Sequence, residues 1–187
     1  MEFPLNTLGV SHKFIIEHIK RGSVCIDATC GKGRDTAFLC ALVGEEGKVL
    51  AFDIQKAAVE QTRALLKEKG FNNAQVFLDS HSNIGNYVEN ESVDGVMFNL
   101  GWLPGGDHNI FSKPETSIPA IEASLKALKK GGVMSICIYH GRECGTVERD
   151  ELLKYLKTID NKRYTVMLLD FYNRTGEIHL PVLIIKD

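Results

Sequence analysis

Val24-Cys25-Ile26-Asp27-Ala28-Thr29-Cys30-Gly31-Lys32-Gly33-Arg34-Asp35-Thr36 is the stretch on which the reading of the chain turns. Its apolar opening, Val24-Cys25-Ile26, reads as a short strand that ends in Asp27. Gly31 and Gly33 give a tight turn, and Asp35-Thr36 opens an apolar helical run, Ala37-Phe38-Leu39. Strand, glycine turn and helix start make a cradle for a nucleotide-type ligand. Glycine lets backbone approach a ligand closely, and a helix N-terminus presents unpaired N–H groups. A second marker, Asp53, ends the next strand, Lys48-Val49-Leu50-Ala51-Phe52. An acidic side chain at that distance can accept hydrogen bonds from ribose hydroxyls.

The dinucleotide fingerprint needs a third glycine, and Thr36 stands in its place. Asp27 and Asp35 flank the turn and would repel a diphosphate. They would welcome a cationic ligand with an amino group. S-adenosyl-L-methionine (SAM), with a sulfonium, an α-amino group, a ribose and no phosphate, fits that description. A nicotinamide or flavin nucleotide and a purely structural turn are the alternatives. No phosphate-binding G-x-x-x-x-G-K-[ST] motif occurs.

Outward from this stretch, strand and helix signals alternate. Helices are expected at Ser11–Ile19, Asp35–Val43 and Gln55–Lys69, the last closed by Gly70. A short one is expected near Asn83–Val88. A further helix begins near Pro114, carries Ile118, Ile121, Leu125 and Leu128 at helical spacing, and stops at Gly131-Gly132. Thr146–Ile159 reads as the last helix. Strands are expected at Val24–Ala28, Lys48–Ile54, Gln75–Leu78, Val93–Leu100, Val133–Tyr139, Tyr164–Phe171 and Leu180–Ile185. No helix separates the final pair, so they should run antiparallel. The pattern predicts an α/β, Rossmann-like, doubly wound sheet of seven strands, mostly parallel with an antiparallel last strand, in a single domain spanning 1–187. Ligands of such sheets bind beyond the carboxyl ends of the strands. Asp27–Gly33, Asp53, Asp79–His81, Asn99–Asp107 and Tyr139–Arg142 all fall there.

Composition narrows the classes. Of 187 residues, 44% are hydrophobic and 25% charged, which suits a globule with one sizeable core. No apolar run reaches the roughly 18 residues of a membrane span, and Met1-Glu2-Phe3-Pro4 does not open a signal peptide. A cytoplasmic protein is therefore expected. The five cysteines, Cys25, Cys30, Cys40, Cys137 and Cys144, form no C-x-x-C pair and read as reduced thiols. No metal site is expected. A net charge of −2 argues against broad coating of nucleic acid, though not against recognition of one loop. Basic residues do gather late in the chain, from Lys126 to Arg174, either as a solvated face or as an RNA-facing patch.

Asn99-Leu100-Gly101-Trp102 ends the fourth strand, where amino-group methyltransferases place an Asn/Asp-Pro-Pro-aromatic turn. Asn99 and Trp102 keep that spacing without the prolines. The acceptor amine needs hydrogen-bond acceptors that aim its lone pair, and orientation of this kind is worth roughly 7–11 kcal/mol of barrier. Asp107, His108, Tyr139 and His140 are candidate proton acceptors. Trp102 packing under its loop, and ordinary loop histidines, are the alternatives. Asp79 is positioned to accept from an adenine amino group, His81 to stack or to cap a helix, and Lys13 to neutralise a ligand carboxylate.

DATCGKGRDT, FDIQ, DSH, NLGWLPGGD, KPETSIPAIEASLKALKKGG and YHGRECG, in this order over roughly Leu5 to Lys186, resemble a family of small bacterial class I SAM-dependent methyltransferases labelled as rRNA methylases. Members are associated with methylating 5-aminomethyl-(2-thio)uridine at the tRNA wobble position. The resemblance implies a SAM pocket of Asp27, Thr29, Gly31, Lys32, Gly33, Asp35 and Thr36, then Asp53, Ile54 and Gln55, then Asp79, Ser80 and His81, with Asn99 and Gly101 near the methyl. By resemblance, Asn99 to Trp102 border the transferred methyl; together with the candidates above, the expected catalytic residues are Asn99, Trp102 and Asp107, and the expected substrate contacts Trp102, Tyr139, His140 and Arg142. The implied partner is a tRNA anticodon stem-loop, bound by a homodimer. The family pattern has Asn at Lys32, more often Tyr at Trp102, and His at Arg142, so Arg142 is open to contacting phosphate. An rRNA or small-molecule methyltransferase, and a catalytically idle nucleotide-binding module, are the competing readings.

Overall fold

Unbroken burial along the central strands dictates the layering. Cys25, Val49 and Met97 point to one face, and Ile26, Leu50, Val96 and Phe98 to the other, all buried. Successive side chains of a strand lie on opposite faces, so strands apolar at every position need cover on both sides. The computed structural model describes residues 4–102, 110–139, 142–174 and 179–187, leaving out the side chains of 142–144. Its elements run α1 (Thr7–His18), β1 (Val24–Asp27), α2 (Arg34–Val43), β2 (Lys48–Asp53), α3 (Lys56–Glu68), β3 (Ala74–Leu78), a 3-10 turn (His81–Asn86), β4 (Val93–Leu100), α4 (Pro114–Ala127), β5 (Leu128–Ile138), α5 (Arg142–Leu156), β6 (Tyr164–Leu168) and β7 (Leu180–Lys186).

The seven strands form one sheet in the order β3-β2-β1-β4-β5-β7-β6. β1 to β5 pair in parallel, and β7 runs antiparallel to both neighbours, β5 and β6. The expected sheet, antiparallel last strand included, is the observed one. Phe14 and Ile15 of α1 and Leu39 and Val43 of α2 cover one face, with Leu66 of α3. Ile121 and Leu125 of α4 and Leu152 and Leu156 of α5 cover the other. The strand order reverses between β1 and β4, which opens a crevice at their carboxyl ends.

Three of the expected boundaries fail for identifiable reasons. Leu128 belongs to β5, not to the preceding helix. It is extended (φ −59°, ψ 133°) and pairs with Val93, while Gly95 pairs with Val133, so 129–132 form an irregularity within the strand. Gly131, at φ +76°, permits that bend rather than stopping a helix. Leu128 is fully buried, so its apolar character served either reading. β6 ends at Leu168 rather than Phe171. Leu169 N donates to Pro181 O at 3.1 Å, but Pro181 has no N–H to return, and the ladder stops. α1 begins at Thr7, earlier than expected, because Asn6 caps it through Gly9 N at 2.8 Å.

Gly33 shows why the first turn is built from glycine. Its φ is +78°, and a Cβ there would lie 2.9 Å from Thr62 Cα on α3. The close approach at Gly33 is therefore to a neighbouring helix. Gly33→Ala should lose at least about 1–3 kcal/mol, measured by urea unfolding. Gly70→Ala, at φ +73° with nothing within 4 Å, should lose only the conformational part.

Candidate active site

The turn after β1 is strapped to three other elements. Ala28 N donates to Met97 O (2.9 Å), Cys30 N to Phe52 O (2.9 Å) and Gly31 N to Asp53 Oδ2 (3.0 Å), while Gly31 O accepts from Thr62 Oγ1 (3.1 Å). Beside the turn lies a cavity of about 720 Å³, within the size range of small-molecule sites. The ends of five strands meet at it. Thr29, Gly31, Lys32 and Asp35 come from the β1–α2 turn; Asp53, Ile54 and Gln55 follow β2; Ser80 and His81 follow β3; Asn99, Gly101 and Trp102 end β4; Tyr139 follows β5.

Four residues expected at the ligand stand elsewhere. Asp27 is fully buried beneath the turn, accepting from Thr36 Oγ1 (2.6 Å) and Thr29 N (3.2 Å). It shapes the floor and does not line the cavity; Thr36, its partner, is buried with it. Burial first, then the charge of Asp35, pushes the Asp27 carboxyl well above the usual carboxylate range. Gly33 packs on α3. Asp79 faces away from the cavity, accepting from Tyr87 Oη (2.6 Å), Ser80 N (2.7 Å) and Asn83 Nδ2 (2.8 Å), bonds that hold its pKa below normal. Asp107, His108 and His140 lie outside the described residues, as does the side chain of Arg142.

Asp35 organises the rest. Its Oδ1 meets His12 Nε2 at 2.7 Å, and its Oδ2 accepts from Asn99 Nδ2. The His12 ring stacks on Phe38 with centroids 4.1 Å apart. A carboxylate facing His12 and Asn99 accepts only, so Asn99 must present its NH₂ to Asp35 and turn its carbonyl away. Asn99 Oδ1 is indeed buried with no hydrogen-bond partner, and Asn99 N is fixed on Thr29 Oγ1 at 2.7 Å. Asp53 accepts from Gly31 N and from Gln55 N (2.9 Å); burial raises its pKa against those donors.

His81 is the second buried acceptor. Its Nε2 has no hydrogen-bond partner, and burial drives the ring pKa down to about 4 despite a hydrogen bond to the Ala28 backbone. The ring is neutral at physiological pH. Tyr139 packs on the His179 ring, centroids 4.4 Å apart, and burial pushes its phenol pKa up. It stays protonated, so it offers a hydrogen-bond donor and is a poor choice of proton acceptor. Lys13 is exposed and lies outside the lining.

The sequence reading missed Leu8 on α1, the Ile110–Lys113 segment, Thr116 and His179. Ile110–Lys113 folds back on β4 through an antiparallel bridge between Trp102 and Phe111. His179 arrives through its carbonyl, which accepts from Thr7 Oγ1 at 2.7 Å. The Thr7–His179 contact, 172 residues apart, has no local sequence signal, and no hydrophobic period marks the short Trp102–Phe111 bridge.

Residues 49–185 match the model of a family described as "Putative rRNA methylase". The chain belongs to that family. It is 40% identical over 151 residues, 74% of its length, to the chloroplastic tRNA (mnm5s2U34)-methyltransferase of Arabidopsis thaliana, of which it spans only about half (54%). A crystal structure of a putative rRNA-methylase from Clostridium thermocellum is 40% identical, with a TM-score of 0.95 over 97% of this chain and 98% of that one. A putative methyltransferase from Streptococcus mutans, solved in complex with SAH (S-adenosylhomocysteine), is 35% identical, with a TM-score of 0.88 over the same shares. The fold is the Rossmann-like class I methyltransferase fold that these family members share.

The depressed pKa of His81 makes a testable statement. Its contribution to stability is full above about pH 6.5, the ordinary value, and is lost as pH falls toward about 4, because the unfolded ring takes a proton that the folded one refuses. His81→Gln, which does not titrate, should therefore lose unfolding free energy less steeply than wild type between those values. Parallel pH profiles in urea titrations would mean that the ring is solvated.

Proposed function

We propose that the chain is a SAM-dependent N-methyltransferase that converts 5-aminomethyl-2-thiouridine to 5-methylaminomethyl-2-thiouridine at the wobble position of tRNA. The observation that carries this reading is Asn99 Oδ1, a buried carbonyl oxygen with no partner, its orientation fixed by Asp35 at the edge of the cavity. A side-chain acceptor held at the end of β4 is what an incoming amine requires.

The cavity suits the methyl donor. Asp35, in the first turn of α2, puts negative charge where a dinucleotide fold would seat its diphosphate, which favours a ligand bearing an ammonium and a sulfonium. Asp53, Ile54 and Gln55 would hold the ribose and the adenine edge. Ser80 and His81 would complete the adenine side, with the neutral His81 Nε2 as acceptor in place of Asp79. Thr29 to Lys32 would lie along the amino-acid end. Bound SAM supplies a methyl group on positively charged sulfur. Asn99 Oδ1 accepts an N–H of the acceptor amine and orients its lone pair. Asp35 keeps the Asn99 amide from flipping. Trp102, 37% exposed, offers a ring for the extruded base. Tyr139 donates from its phenol. An amine that arrives neutral can release its proton to solvent after transfer, so no strong base is needed.

The RNA side follows from charge placement. Lys32, Arg34 and Lys113 are exposed at the cavity, while its carboxylates are withdrawn. That places cations for phosphate in a protein of net charge −2. A homodimer is supported by the edge strand β6, whose Met167 and Leu168 are exposed, as are Leu5 and Tyr172. Among the described residues no helix is long and apolar enough to cross a membrane; the reading takes the chain as one catalytic domain at work in the cytoplasm. Methylation of rRNA is the second reading, favoured by the family description.

Purified protein, SAM and tRNA bearing 5-aminomethyl-2-thiouridine should yield the methylaminomethyl nucleoside by mass spectrometry. Transfer to an rRNA pool alone would favour the second reading. Asn99→Ala should lower kcat about a hundredfold while SAH affinity stays within a few-fold, since it removes orientation rather than donor binding.

A further inference from the structure

Glu148 on α5 is 3% exposed, and both its oxygens are engaged: Oε2 accepts from Ser112 Oγ at 2.7 Å, and Oε1 from Ser117 Oγ at 2.8 Å. Ser112 Oγ also accepts from Gly101 N at 2.7 Å, and Ser112 N donates to Gly101 O at 3.0 Å. One residue farther out, Trp102 bridges Phe111. A connected set of hydrogen bonds thus runs from α5 to the residue that precedes the tryptophan.

Burying a carboxylate is costly, and packing α4 on α5 does not require one. Its chemistry does something an apolar side chain cannot. A carboxylate accepts only, so the Ser112 hydroxyl must donate to it, leaving the serine oxygen's lone pairs for the Gly101 N–H. Gly101, at φ +141°, sits in backbone that other residues rarely adopt, so the chain direction there depends on such restraints. Burial raises the Glu148 pKa while both serine hydroxyls lower it.

We infer that Glu148 is a positioning residue: acting through Ser112, it sets the direction in which Gly101 and Trp102 leave β4, and so the place of the acceptor ring relative to Asn99. The inference rests on the reading of Asn99 and Trp102 as the acceptor side of an N-methyltransferase site.

Trp102 is the only tryptophan in the chain, so tryptophan emission, excited where the five tyrosines do not absorb, reports this segment alone. Three variants separate positioning from packing. Ser112→Ala removes the connection to Gly101, and Glu148→Gln weakens it by replacing one of the two acceptor oxygens with an NH₂. Ser117→Ala removes a similar bond to Glu148 from α4 and leaves Gly101 untouched. Ser112→Ala and Glu148→Gln should shift Trp102 emission and lower kcat on the tRNA about tenfold or more, with SAH affinity within a few-fold. Ser117→Ala should keep emission and kcat near wild type, whatever its melting temperature. Unchanged emission in folded Ser112→Ala, or the same shift in Ser117→Ala, would overturn the inference. Should Glu148→Gln fail to fold, Ser112→Ala against Ser117→Ala still decides it. Wild-type protein that methylates no RNA would sink the functional reading instead, and the emission comparison would judge the positioning role independently.

Discussion

The turn from Ala28 to Gly33 takes its shape from hydrogen bonds to β4, β2 and α3, and the site is arranged around it. Thr29 illustrates the economy of the arrangement. Its hydroxyl accepts from Asn99 N, which pins the end of β4 to the end of β1. Asp35, in the first turn of α2, then holds the Asn99 side chain. Backbone and side chain of one residue are thus fixed by two neighbours in the same short stretch. An acceptor held this way loses little freedom on binding substrate, which is the condition for orientation to lower a barrier.

Charge is layered by depth. Asp27 is sealed under the turn, Asp35 and Asp53 line the cavity with their oxygens engaged, and Lys32, Arg34 and Lys113 stand at the solvent side. The buried layer acts on a small cationic ligand through low-dielectric surroundings, where fields are strong. On the proposed function the outer layer would act on a polyanion through water, where fields are screened by salt. The two sets would then select for different molecules without cancelling each other.

The fold was legible because its cause is local. Unbroken apolar strands such as Val133–Ile138 and glycine-closed helices carry their period in the sequence. Strand ends carried the site as well, and Asp53, Asn99 and Trp102 fall at the cavity where their positions in the pattern put them. Depth was not legible. Asp27 and Asp35 are both acidic residues flanking one turn, yet only Asp35 reaches the cavity, because Asp27 precedes the bend and its side chain is enclosed by Thr36. Asp79 looked free to meet adenine until Asn83 and Tyr87, four and eight residues on, turned back onto it. The His179 contribution depends on a contact with Thr7, 172 residues away, which no window of sequence displays, and the Phe111 contribution on a short bridge to Trp102 that carries no period.

β7 lies between β5 and β6, although it is the last of the three to be made. On a ribosome, β6 therefore emerges before the strand that must hold it, and its Val166 and Met167 have no ladder to join. The other end of the chain waits too: Phe14 and Ile15 of α1 pack in the cluster that contains Val133 and Leu183. The first helix and the late strands thus complete each other, so the nascent polypeptide keeps an unfinished apolar face until synthesis has passed Leu183. During that interval the chain is most open to chaperone capture and to aggregation.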